Sequence, residues 1–314
     1  MTRYILAASL FAASFASFAS AQQEGPTPTQ ALIALDSKSP ATPTTSNITL
    51  KVNNKSEPLA SIVPVAPSGA QVAILIDDGL RTSFGSQLDQ LRDFITNLPA
   101  GMEVFVGYMQ NGRVVSNEGF TTDRAAAASS LRLSLGTSGV SSSPYFCLSD
   151  FTKRWPGSAE TSATANEQSN PRARFILMIT NGVDPYNGST RITNQDSPYV
   201  ASSITDAQRI GAAVYSIYYS NAGMLGNRGS FSGQSYLAQL AQATGARSFY
   251  EGSGNPVSLA PFLDQFKSAI AETYVATFNA PGNKDFVQLR TSTTLPKTKF
   301  RTASQVRPGT RITP

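Results

Sequence analysis

Three carboxylates stand where chemistry could be done. Asp77 and Asp78 close the apolar run Ala73-Ile74-Leu75-Ile76, and Asp184 follows a second apolar run, Phe175 to Thr180. Carboxylates at strand ends can hold a divalent cation through hard oxygen ligands, and a cation so held can activate water for hydrolysis. The chain has no histidine. That removes the commonest metal ligand and the base of any Ser-His-Asp or Cys-His device. Cys147 is the single cysteine and lies in the apolar stretch Tyr145-Phe146-Cys147-Leu148. It reads as a small buried hydrophobe, with no internal disulfide possible. No nucleophile is marked, so the expectation is a protein without catalytic residues. Arg81 has two readings. Its guanidinium can stand in place of a cation, forked to Asp77, Asp78 or Asp184. Or it is a surface residue of the first helical turn, covering apolar surface with its stem.

The elements that must position these groups alternate. A strand at 72–77 leads into a helix at 83–97, with Phe84, Leu88, Leu91, Phe94, Ile95 and Leu98 at helical spacing. A strand at 103–109 is followed by the hairpin signal Asn111-Gly112 and a return strand from Val114. Helices are expected at 125–133 and 145–155. A buried strand follows at 174–180, a helix near 205–211, a strand at 213–219, a helix at 236–243 and a short strand at 247–250. A last amphipathic helix carries Leu259, Phe262, Leu263, Phe266 and Ile270. This pattern predicts an α/β fold, a doubly wound and mostly parallel sheet with helices on both faces. Ligands of such sheets bind beyond the carboxyl ends of the strands, which is where Asp77 and Asp78 fall.

The ends of the chain read differently. Arg3, an apolar stretch to Phe18 and Ala19-Ser20-Ala21 form a secretory signal with its cleavage site. Residues 1–21 are therefore read as a signal peptide and 22–45 as a disordered Pro/Thr-rich linker. Residues 46–69 are read as a short β segment, 70–280 as the α/β domain and 281–314 as basic C-terminal strands and tail. The last two strands, 273–278 and 286–290, are expected to be antiparallel. Charged residues make up 14% of the chain, well under the usual share of about 25%, which suits an exported, loop-rich protein. The net charge is +5, and the stretch from Pro281 holds seven basic residues against Asp285 alone. A basic strand pair can meet an anionic surface. The expectation is no nucleic acid, since aromatic interleaving is absent, and no membrane span once the signal is cleaved. The long polar loops at 156–173 and 184–202 and the tyrosines Tyr186, Tyr199, Tyr218 and Tyr219 are candidate contact surfaces.

The run Asp77-Asp78-Gly79-Leu80-Arg81 resembles the first motif of von Willebrand factor A domains, in which a strand ends in Asp-x-Ser-x-Ser and helps hold a divalent cation. Leu135-Gly136-Thr137-Ser138-Gly139 sits where that family places a metal-ligating threonine. Asn181-Gly182 sits where it places Asp-Gly. The likeness covers most of residues 70–280 and is closest to von Willebrand factor A-related exported proteins of acidobacteria. Carried over residue by residue, Asp77 and Thr137 match the family's metal ligands. Gly79 and Arg81 replace its two serines, and Asn181 replaces its aspartate, with Asp78 and Asp184 on neighbouring loops. The resemblance implies a degenerate metal-ion-dependent adhesion site holding at most Mg²⁺ or Mn²⁺ through Asp77 and Thr137. It also implies a secreted, non-enzymatic binding or adhesion module for a protein or surface polymer. The alternatives are a structural subunit of an exported complex, pairing through its basic C-terminal strands, and last a metal-dependent hydrolase.

Overall fold

The structure, a computed structural model, describes residues 25–37, 41–137, 140–157, 171–184, 197–220, 226–252 and 254–313. The expected signal peptide lies outside them, as does most of the loop 156–173. In chain order the strands are β1 (Pro26–Ser37), β2 (Ile48–Val52), β3 (Lys55–Glu57), β4 (Ser61–Pro64), β5 (Ala70–Asp77), β6 (Glu103–Gln110) and β7 (Arg113–Val115). They continue as β8 (Ala173–Thr180), β9 (Ala213–Tyr218), β10 (Ser248–Phe249), β11 (Thr273–Pro281), β12 (Val287–Thr293), β13 (Thr298–Thr302) and β14 (Gln305–Val306). The helices are α1 (Leu88–Thr96), α2 (Arg124–Ser129), α3 (Pro144–Lys153), α4 (Pro198–Arg209), α5 (Gly226–Ala243) and α6 (Ala260–Ala271).

The central sheet has the order β10-β9-β8-β5-β6-β7. Every pairing in it is parallel except β6 with β7. β5 lies between β6 and β8 and is apolar on both sides because both faces of the sheet are covered. Val72, Ile74 and Ile76 point into a core with Leu91 and Ile95 of α1 and Phe266 of α6. Ala73 and Leu75 point into a second core with Leu148 and Phe151 of α3, Val200 of α4 and Leu240 of α5. This is the doubly wound fold that the alternation predicts. Asn111 and Gly112 have φ of +46° and +74°, as a tight hairpin turn between β6 and β7 requires.

The chain ends depart from the sequence reading. The stretch read as a disordered linker contains β1, which pairs with β11 from Pro26↔Pro281 to Ala34↔Thr273 and with β13 from Ile33↔Thr302 to Ser37↔Thr298. The overlooked signal is Ala31-Leu32-Ile33-Ala34-Leu35, all buried. Pro26 and Pro28 fit because β1 is an edge there: β13 reaches only as far as Ile33, and a proline without an N–H is tolerated on an unpaired edge.

The two last strands do not pair with each other. β11 joins the sheet β13-β1-β11-β4, and β12 joins β14-β12-β2-β3. Ala31, Phe278 and Ala280 of the first sheet pack on Leu50, Val52, Val287, Leu289 and Val306 of the second. Leu32 and Val275 pack the first sheet onto the α/β core, joined by Ile312 near the end of the chain. The two segments read as separate β additions are therefore one two-sheet unit, in which β12 is paired on both sides and β13 on one.

Candidate functional site

The strand order reverses between β5 and β8: from β5 the chain moves to β6 on one side, and from β8 to β9 on the other. Such a switch point opens a crevice beyond the carboxyl ends of the strands. Here the crevice is bridged. Asp77, the last residue of β5, accepts a 2.7 Å hydrogen bond at Oδ2 from the Thr180 hydroxyl, the last residue of β8. Its Oδ1 accepts from the Gly79 amide at 2.9 Å, and Thr180 Oγ1 in turn accepts from the Gly182 amide at 3.2 Å. Asp77 is only 3% exposed. Burial raises its pKa above the usual carboxylate range, against hydrogen bonds from Thr180, Gly79 and Ser141, and the charge of Asp78 adds to the rise.

Asp78 has the opposite environment. Arg132, just past α2, forks it with Nη1 on Oδ1 and Nη2 on Oδ2, both at 2.7 Å. The Leu135 amide donates to Oδ1 at 2.9 Å and the Gln110 side chain to Oδ2. Burial pushes this carboxyl up, but the Arg132 bonds, the Leu135 amide and Gln110 outweigh it and hold the pKa below the usual value. Arg132 is itself set from below. Its guanidinium lies 3.8 Å over the Tyr108 ring, a favourable cation–π geometry. The Tyr108 hydroxyl donates to the Arg132 carbonyl at 2.7 Å and accepts from its amide at 2.6 Å.

The residues expected to gather at a cation do not do so. Arg81 is exposed and makes no ion pair among the described residues; the arginine on the acidic pair is Arg132, which the sequence reading passed over. Gly79 donates its amide to Asp77. Thr137 is exposed, and no hydrogen bond links its hydroxyl to Asp77 among the described residues. Asn181 folds its carboxamide onto the Val183 amide at 2.9 Å. Asp184 is buried and accepts from Ser197 Oγ at 2.5 Å, and Ser197 caps α4 through the Val200 amide. Among the described residues no three of His, Cys, Asp and Glu group as a metal site. The donor set does not fit a cation. Both Asp78 oxygens hold guanidinium N–H groups, both Asp77 oxygens hold donors, and the family's two serine hydroxyls have no counterpart at Gly79 and Arg81.

Other candidates sort themselves by burial. Tyr218 and Tyr219 are buried in the core, and Tyr199 packs edge-on against Phe146 at 4.4 Å; these are packing residues, and Tyr186 lies outside the described residues. Cys147 is fully buried, and burial, with Asp77 nearby, pushes its thiol well up, which leaves it an inert structural thiol. The loop after α2 presents two large apolar side chains outward. Leu133 and Leu135 are 57% and 58% exposed, while Ser134 between them is buried with no hydrogen-bond partner among the described residues.

No family model matches the chain, and no curated protein matches it. Among solved structures it is similar to the human COPII-coat protein Sec24c, at 8% identity and a TM-score of 0.42, over 78% of this chain and 44% of that one. The chain thus spans less than half of Sec24c. It is similar to the VWA domain of SpRpn10 at 10% identity and a TM-score of 0.39, over 65% of this chain and 97% of that one. An uncharacterised membrane-spanning protein from Vibrio fischeri is similar at 14% identity and a TM-score of 0.23, over 63% and 98% of the two chains. The fold assignment rests on the chain's own strand order and register.

Proposed function

We propose that this chain is an exported, non-enzymatic binding module of the von Willebrand factor A kind. In this reading it grips a protein partner through the loops at the carboxyl end of the central sheet and needs no metal ion to do so. One observation carries the reading. Leu133 and Leu135 are held outward, more than half exposed, on a loop whose backbone is fixed by Asp78 through the Leu135 amide and the Arg132 fork. A loop whose backbone is already ordered loses little backbone freedom on binding, so more of the apolar burial appears as affinity.

Non-enzymatic action is supported by the residues that are missing or engaged. There is no histidine, the one cysteine is buried, and Asp78 is ion-paired. Export is supported by the N-terminal sequence pattern, and no helix among the described residues is long and apolar enough to cross a membrane.

A photo-reactive residue at Thr137, exposed beside the two leucines, or at Lys299 on β13, introduced in the cell that makes the protein, tests where the partner lies. Crosslinks to one partner that vanish with Leu133→Ser/Leu135→Ser support the loop surface, given an unchanged melting temperature. Crosslinks only from β13 would favour the structural-subunit reading. The metal-free part is tested by melting the protein with Mg²⁺, with Mn²⁺ and with chelator. A ligand at about 100 times its dissociation constant adds roughly 2.7 kcal/mol, so a rise that Asp77→Ala abolishes would overturn it. Arg81→Ser is expected to leave stability within about 0.5 kcal/mol and to confer no metal response.

A further inference from the structure

The outermost sheet, β14-β12-β2-β3, has one face packed on Ala31, Phe278 and Ala280. Its other face is open. Residues alternate across a strand, so the exposed Thr49 and Lys51 of β2 and Gln288, Arg290 and Ser292 of β12 share that face. Register brings two cations together there. Arg290 is the direct partner of Lys51, and Lys51 is the direct partner of Ser56 on β3. Like charges directly opposed on neighbouring strands are unfavourable, and neither residue has an ion-pair partner among the described residues. Glu57 does not relieve them. It is the register partner of buried Leu50 and so belongs to the inner face.

We propose that this face binds an anionic polysaccharide, with Lys51 and Arg290 taking one sugar carboxylate between them. The flanking Thr49, Ser56, Gln288 and Ser292 then meet the sugar hydroxyls. An unneutralised cationic pair is complementary to an anion, and Arg adds directional N–H groups that suit a carboxylate. A membrane surface fits less well. Peripheral membrane binding combines apolar insertion with several basic residues, and this face presents two cations and no outward apolar side chain. The surface is separate from the loop carrying Leu133 and Leu135, so it stands whether or not that loop binds a protein.

The test is binding of the full chain to polygalacturonate, with neutral dextran and phosphatidylglycerol-containing vesicles as comparisons. Expected are binding to polygalacturonate that weakens as NaCl is raised and no binding to dextran. Lys51→Ala/Arg290→Ala should weaken it at least tenfold with an unchanged melting temperature, while Lys299→Ala on β13 binds as the parent does. Lys51→Glu should abolish binding with a melting temperature at or above the parent's, because Glu opposite Arg290 turns repulsion into attraction. Equal binding by the double alanine variant, absence of binding to polygalacturonate, or binding to the vesicles alone would each overturn the proposal.

Discussion

The Asp78 carboxylate and the Arg132 guanidinium meet in a two-point fork across 54 residues of chain, both contacts at 2.7 Å. The fork joins the end of β5 to the loop after α2, and the Leu135 amide completes it. One residue earlier, Asp77 is turned to the other side and tied to β8 through Thr180. Two adjacent carboxylates thus hold two different loops, and their pKa values move apart.

Arg132→Ala removes the cation and leaves a fully buried carboxylate with the Leu135 amide and Gln110. Hydrogen bonds to charged groups contribute about 1.5–3 kcal/mol each; because Arg132 is partly exposed, a total loss of about 2 kcal/mol is expected from urea unfolding at pH 7. The sign with pH follows from the lowered pKa of Asp78. Its contribution is present above the unfolded value of about 3.9 and is lost as pH falls through the lower folded value. The parent should therefore lose more stability than the variant below about pH 4. Parallel acid limbs would remove Asp78 as the cause.

Asp77→Asn probes the raised carboxyl. The native state binds the Asp77 proton above the pH at which an unfolded aspartate, near 3.9, releases it. Stability therefore falls as pH rises through the window between the two values. The amide does not ionise, so the variant should gain on the parent between pH 4 and pH 7, measured by urea unfolding at both. The same difference at both pH values would show that burial of the charge is not what Asp77 contributes.

Gly233→Ala tests how α5 seats on the loop after β8. A Cβ at Gly233 would lie 2.0 Å from the Asn181 carbonyl oxygen and 3.1 Å from the Gly182 carbonyl carbon, both backbone atoms. Neither can rotate away, so the helix or the loop must shift, at about 1–3 kcal/mol. Gly254→Ala, with nothing within 4 Å of the new Cβ, serves as the comparison. Melting temperatures that fall equally would refute the close approach.

Ile33→Ala separates a structural strand from a linker. Ile33 is buried in β1, and removing a buried isoleucine side chain costs about 2–5 kcal/mol. In a disordered linker the same change would stay within about 0.5 kcal/mol. Denaturant unfolding of the full chain distinguishes the two outcomes.

The sequence alone determined the central α/β fold, because periodicity reports local burial. Continuous apolar runs such as Phe175–Ile179 mark strands covered on both faces, and the 3.6-residue spacing of Leu88, Leu91 and Ile95 marks a one-faced helix. It also placed Asp77 and Asp78 at the end of the central strand. Tertiary structure decided what those carboxylates do. No local signal tells Arg81, four residues from Asp77, from Arg132, since choosing between them requires knowing where the chain after α2 returns to the sheet. The same holds at the ends of the chain. β1 is a strand because β11 and β13 lie on either side of it, more than 230 residues away at every pairing. Its prolines and threonines argue locally for a linker, but long-range burial of Ala31 to Leu35 outweighs that local preference. The pairing of Lys51 with Arg290 likewise exists only in the folded register, which no local pattern encodes.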